Sequence, residues 1–210
     1  MCPPASIDFP GVTITGADDT VVRFTPAQLA KAGQPTPEVV LTGVAKPYGH
    51  VFDPQGNLWV SNNPACNVLH IPAALLARSG TVGPANIAAT ETKNNVLSGP
   101  RGSIFDVNGN LLVSSAGNNR VDGYTVQDPT VAPLATAALQ NEQGRVVPSG
   151  PKGLAFDNAS FLWVTATDGN LYRYARSDLV EGCVVRPVTI IAGFGETRGV
   201  LMYFNPKPRP

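Results

Sequence analysis

The 210 residues carry 15 basic and 15 acidic side chains, so the net charge is zero and no global field draws the chain to nucleic acid or to an anionic membrane. Hydrophobic residues make up 43%, enough for one well-packed domain. No apolar run is long enough to span a bilayer, and the 21 Gly and 20 Pro punctuate short apolar runs in the manner of a chain of turns and strands.

The chain begins MCPP, and Cys2 would be the acceptor residue if this were a mature bacterial lipoprotein; otherwise residues 1–10 form an N-terminal arm. Cys2, Cys66 and Cys183 are odd in number and distant, without a CxxC pair, which argues against a disulfide framework or a cysteine zinc site.

An internal repeat organises the rest. Pro47 to Asp53 (PYGHVFD) aligns with Pro100 to Asp106 (PRGSIFD) and Pro151 to Asp157 (PKGLAFD), at offsets of 106 − 53 = 53 and 157 − 106 = 51. A weaker copy runs from Arg198 to Asn205. After each full copy comes a tight-turn signal and a second apolar run: GNLWVS from Gly56, GNLLVS from Gly109 and SFLWVT from Ser160. Third runs follow at Val68 to Ile71, Val121 to Tyr124 and Leu171 to Tyr174, and more variable fourth runs at Ala85 to Thr90 and Val188 to Ala192. Four short antiparallel strands in a unit of roughly 50 residues define a propeller blade.

The N-terminal segment supplies Val12 to Thr15, Val21 to Phe24 and Glu38 to Thr42 as second, third and fourth strands of one more blade. The first strand of that blade is expected from Arg198 to Asn205, joining the two chain ends and closing the ring. The expectation is an all-β protein, a four-bladed β-propeller over residues 11–205 with a tail at 206–210. The alternative is that two copies combine into a larger ring. Thr25 to Gly33 (TPAQLAKAG) and Pro72 to Gly80 predict short helices in the connections from third to fourth strands, with a looser version at Ala175 to Gly182.

The pattern PxGxxFDxxGNLWVxN, with TPAQLAxxG, resembles bacterial NHL-repeat proteins, a group set among propellers that include gluconolactonase-like and peptidyl-amidoglycolate-lyase-like enzymes. The resemblance covers most of residues 11 to 205. It implies the blade architecture and, through the TPAQLAxxG variety, a secreted or cell-envelope location. It leaves the activity open, since the fold hosts hydrolases, lyases and binding modules.

Equivalent positions in a propeller gather round one mouth. Those after the opening proline are Tyr48, Arg101 and Lys152, with Arg198 in the closing blade; three cations and a tyrosine suit a carboxylate or phosphate. The competing reading makes them partners of Asp53, Asp106 and Asp157. Two positions on stand His50, Ser103, Leu154 and Val200. The lyase-like resemblance implies histidines converging on a metal, and here one equivalent in four is His, so a cluster is not expected. Loops between second and third strands offer oxygen ligands for Ca²⁺, with Asn62, Asn118 and Asp168 the weak candidates, unless these residues serve their own turns. The gluconolactonase-like resemblance implies a channel Glu, and Glu38, Glu91, Glu142, Glu181 and Glu196 all lie in outer segments.

No GxSxG, HExxH, phosphate loop or dinucleotide fingerprint occurs. The leading expectation is a non-catalytic, secreted or envelope-associated propeller that binds a protein, glycan or small anion at its channel face, without a cofactor. The first alternative is a divalent-metal-dependent hydrolase or lyase; the second is a structural protein that self-assembles by strand exchange, a homo-oligomer.

Overall fold

β-Branched and aromatic residues alternating with polar ones produce the strands, and Gly, Asp and Asn turns separate them. The computed structural model describes residues 12–15, 19–63, 65–82, 97–125, 135–139, 150–179, 183–195, 197 and 199. The first blade holds β1 (Val12–Thr15), β2 (Thr20–Arg23) and β3 (Val39–Thr42). The second holds β4 (Pro47–Phe52), β5 (Leu58–Asn62) and β6 (Asn67–Ile71), followed by the short β7 (Gly80–Thr81). The third comprises β8 (Pro100–Phe105), β9 (Leu111–Ser115), β10 (Arg120–Tyr124) and β11 (Ala135–Leu139). The fourth comprises β12 (Pro151–Phe156), β13 (Leu162–Ala166), β14 (Leu171–Tyr174) and β16 (Thr189–Ile191), with β15 (Cys183–Val185) in its third-to-fourth connection. These four sheets are those of a four-bladed β-propeller. The expected fourth strand at 85–90, the closing strand at 198–205 and the arm bearing Cys2 lie outside the described residues.

Among the described residues, three blade junctions each have their own core. Val21, Val39 and Leu41 of the first blade meet Leu58, Val60, Leu69 and Ile71 of the second. Trp59 and Val68 turn the other way, onto Leu111, Val113 and Tyr124 of the third. Leu112 and Val121 then face Leu154, Leu162, Val164, Tyr172 and Tyr174 of the fourth. Successive residues of β5 and β9 therefore address opposite neighbours, as a period of two requires, and both strands are buried throughout. Each fully buried Leu or Val contributes on the order of 1.5–3 kcal/mol, so the junctions hold the array together.

Two sheets carry a strand that the repeat does not predict. β7 pairs in parallel with β3, and β15 in parallel with β11. In both cases the connection of one blade is laid on the outer strand of the blade before it, satisfying a row of edge N–H and C=O groups that would otherwise be unpaired. The predicted helices are short. Pro26–Leu29 is one α-helical turn, α1, with a reciprocal capping box between Thr25 and Gln28. Ala73–Ala77 and Arg176–Asp178 are 3₁₀ turns. Among the described residues no helix is long and apolar enough to cross a membrane.

Candidate functional site at the first-strand mouth

The mouth is built on three identical irregularities. In each full repeat the register between first and second strands slips just after the opening proline: between Pro47 and His50, Pro100 and Ser103, and Pro151 and Leu154. A bulge of this kind bends the strand and re-aims the residue that carries it, here Tyr48, Arg101 and Lys152. The glycine that follows each has a steric reason. A Cβ on Gly49 would collide with the Arg101 carbonyl oxygen, and one on Gly102 with the Lys152 carbonyl oxygen, so the first strands approach backbone to backbone.

Hydroxyls on the second strands complete the arrangement. The Gly102 N–H donates to Ser114 Oγ at 2.7 Å, and the Gly153 N–H to Thr165 Oγ1 at 2.8 Å. Ser114 Oγ in turn donates to the Lys152 carbonyl at 2.7 Å, and Ser61 Oγ lies 2.7 Å from Ser103 Oγ. The repeat alignment shows Ser61, Ser114 and Thr165 at one position, a signal that sequence reasoning passed over.

Of the residues expected at the mouth, the structure brings Tyr48 and Arg101 together. The Arg101 guanidinium lies 5.2 Å from the centroid of the Tyr48 ring, and Tyr48 is 55% exposed. Arg101 Nε is buried with no hydrogen-bond partner. Lys152 follows on the next first strand and is buried, at 4% exposure. Ser103 is half-buried and hydrogen-bonded to Ser61 across the blade junction. His50 pairs with Val60 and is half-buried; burial pushes its pKa below the usual histidine value, so it stays neutral at neutral pH. Arg198 lies outside the described residues.

Among the described residues the mouth cations Arg101 and Lys152 do not pair with the repeat aspartates, which sit at the far ends of the first strands. Asp53 Oδ1 accepts from the Gln55 and Asn57 N–H groups, and its Oδ2 from Trp59 Nε1 at 3.0 Å. Asp157 Oδ2 accepts from Trp163 Nε1 at 2.9 Å and Arg173 Nε at 3.0 Å. Asp106 Oδ2 accepts from Arg176 at 3.0 Å. Burial raises all three pKa values, but the N–H donors outweigh it and hold the carboxyls below the usual carboxylate range.

Two of the three calcium candidates, Asn62 and Asp168, are engaged by neighbouring groups. Asn62 Oδ1 accepts from the Ala45 N–H at 3.2 Å and its amide donates to Asn67; Asp168 accepts from the Asn170 N–H at 3.0 Å and the Tyr172 hydroxyl at 2.6 Å. Asn118 lies in the turn between β9 and β10. Among the described residues no three of His, Cys, Asp and Glu come together as a metal site.

The chain matches no family model and no curated protein sequence. Solved structures resemble it in fold. A streptogramin B lyase is 14% identical with a TM-score of 0.56, covering 84% of this chain and 49% of that one. A catalytically inactive virginiamycin B lyase from Staphylococcus aureus with quinupristin is 14% identical with a TM-score of 0.56, covering 88% of this chain and 53% of that one. A structure named "putative gluconolactonase" is 16% identical with a TM-score of 0.55, covering 90% of this chain and 61% of that one. The chain thus spans about half the length of the lyases it resembles. At such identity the likeness shows the propeller fold alone.

Proposed function

We propose that this propeller binds a small anion, of the carboxylate or phosphate class, at the mouth formed by Tyr48, Arg101 and Lys152. The carrying observation is the exposed Tyr48 ring stacked 5.2 Å from the Arg101 guanidinium. A guanidinium fixed by a ring and by a repeated bulge has lost its freedom before the ligand arrives, which lowers the entropic cost of a bidentate anion contact. Lys152 stands on the adjacent first strand, buried behind the pair. The NHL-type resemblance and the secreted or envelope location expected from the sequence go with this reading.

Isothermal titration of inorganic phosphate and of D-glucuronate into the intact chain tests it. The expected result is saturable binding of one of them, weakened about tenfold or more by Arg101→Gln, as loss of a charge-assisted bond requires. Absence of binding by both, or affinity indifferent to Arg101→Gln, overturns the proposal.

A second reading, a hydrolase or lyase, draws on the names of the structural neighbours and on a neutral His50 beside the mouth. Among the described residues no three of His, Cys, Asp and Glu converge, so no metal-dependent step is assigned. Turnover of δ-gluconolactone above the uncatalysed rate that disappears in His50→Gln would favour this reading over the first.

A further inference from the structure

Two blade junctions share an outer joint, and the first and fourth blades each carry one unjoined half of it. Between the first and second blades, β7 runs parallel to β3. The Val40 N–H donates to Ser79 Oγ at 3.0 Å, and the Val82 N–H to the Thr42 carbonyl at 2.6 Å. Leu76, just before this strand, packs against the junction core, and its carbonyl accepts from Arg23 Nη1 at 2.8 Å. Between the third and fourth blades β15 lies on β11 in the same sense, and Leu179 packs against that core.

The first blade has the same connection. With Thr25 to Gly33 aligned on Pro72 to Gly80, Leu29 stands where Leu76 does and Gly33 where Gly80 does. Leu29 is nevertheless 53% exposed, and residues 30–36 are exposed with it. The fourth blade has the matching edge. Among the described residues β16 pairs with β14 alone, and Val188, Ile191 and Phe194 on and beside it are exposed. The face of that blade is open too: Trp163 has the strand position of Trp59, which packs into the core shared with the third blade, yet it is only half-buried. Among the described residues no apolar core joins the fourth blade to the first.

We propose that a second copy of this chain completes the joint, residues 29–35 of one copy lying parallel on β16 of the other. Leu29 then packs as Leu76 and Leu179 do. Arg173 is the fourth-blade counterpart of Arg23, since its carbonyl accepts from the Val188 N–H as that of Arg23 does from Glu38, and it faces the incoming Leu29 carbonyl. The contact is head to tail, so two copies make two of them. The four blades of each copy join in one ring of eight, within the range that propellers span. Edge N–H and C=O groups gain partners while exposed apolar side chains leave water, which is what the two internal joints already achieve. The lyases that share the fold are about twice this chain's length, as two copies together are.

Light scattering and native mass spectrometry of the 210-residue chain over a dilution series test this. The two-chain mass should appear and give way to single chains on dilution. Leu29→Asp and Ile191→Lys alter exposed positions on opposite sides of the joint. Each should leave the far-UV spectrum unchanged and raise the dissociation constant about tenfold or more. Val188→Lys, at another exposed position, should do the same and guards against a misfolded Ile191→Lys. Mixing Leu29→Asp with Ile191→Lys leaves one joint unaltered and should restore two-chain species at a concentration where neither forms them alone. A single-chain mass at every concentration overturns the proposal and assigns closure to the chain's own ends. A dimer indifferent to Leu29→Asp overturns it too, as direct pairing of β16 with β16 would give. So does a mixture that stays as single chains, or a mass that grows past two chains.

Discussion

The hydroxyls of Ser61 and Ser103 meet at 2.7 Å across the junction of the second and third blades. Ser61 is fully buried, so its oxygen is shielded from water that could replace a lost partner. Ser103→Ala should therefore destabilise the chain by roughly 1–3 kcal/mol, and Ser61→Ala,Ser103→Ala by less than the sum of the single changes. Chemical denaturation of the three variants measures this. Additive losses would mean that the two hydroxyls act independently.

The close approach of the first strands predicts a sharp contrast between glycines. Gly102→Ala drives a methyl into the Lys152 carbonyl, a backbone atom that can move only with its strand, and should cost roughly 1–3 kcal/mol or more. Gly80→Ala meets nothing within 4 Å and should stay within about 0.5 kcal/mol of wild type. Melting temperatures decide it, and equal losses would contradict the bulge geometry.

The two tryptophans should differ. Trp59 is 2% exposed and packs between blades, so Trp59→Ala should cost about 3–5 kcal/mol. Trp163 holds the equivalent strand position but is only half-buried beneath Arg173, and Trp163→Ala should cost clearly less. Denaturant midpoints of the two variants compare them directly.

Stability should fall on acidification in two stages. Burial holds His50 and His70 below their ordinary 6.5, so the folded state resists a proton that the unfolded chain accepts. Their contribution is whole above pH 6.5 and is lost as pH falls through the folded values. The second stage comes from Asp53, Asp106 and Asp157, held below 3.8, whose contribution is present above that value and disappears at lower pH. Replacing both histidines by Gln should remove the first stage and leave the second. A pH series of melting curves checks this, and an unchanged first stage in that variant would assign it to other groups.

Much of the fold was legible because its signals are local. The Asp-to-Asn turns close over a few residues, as Asp106 does with the N–H groups of Asn108 and Asn110, and the capping box of Thr25 with Gln28 spans one turn. The parallel strands β7 and β15 were not legible, since a short Gly-Thr or Cys-Val-Val run has no pattern of its own and gains its partner only when blades stack. The candidate mouth was legible as a set of equivalent positions. That Tyr48 and Arg101 stack, while Ser103 bonds Ser61, was not.

By itself the sequence determined the repeat, hence the strands, their alternation and the turn at each aspartate, because these depend on neighbours within one blade. Only the tertiary structure decided which side chain meets which across a junction. Arg176 reaches Asp106 over 70 residues of chain, from the blade that follows. Contacts of that kind follow from how sheets are stacked, a relation that no single repeat encodes.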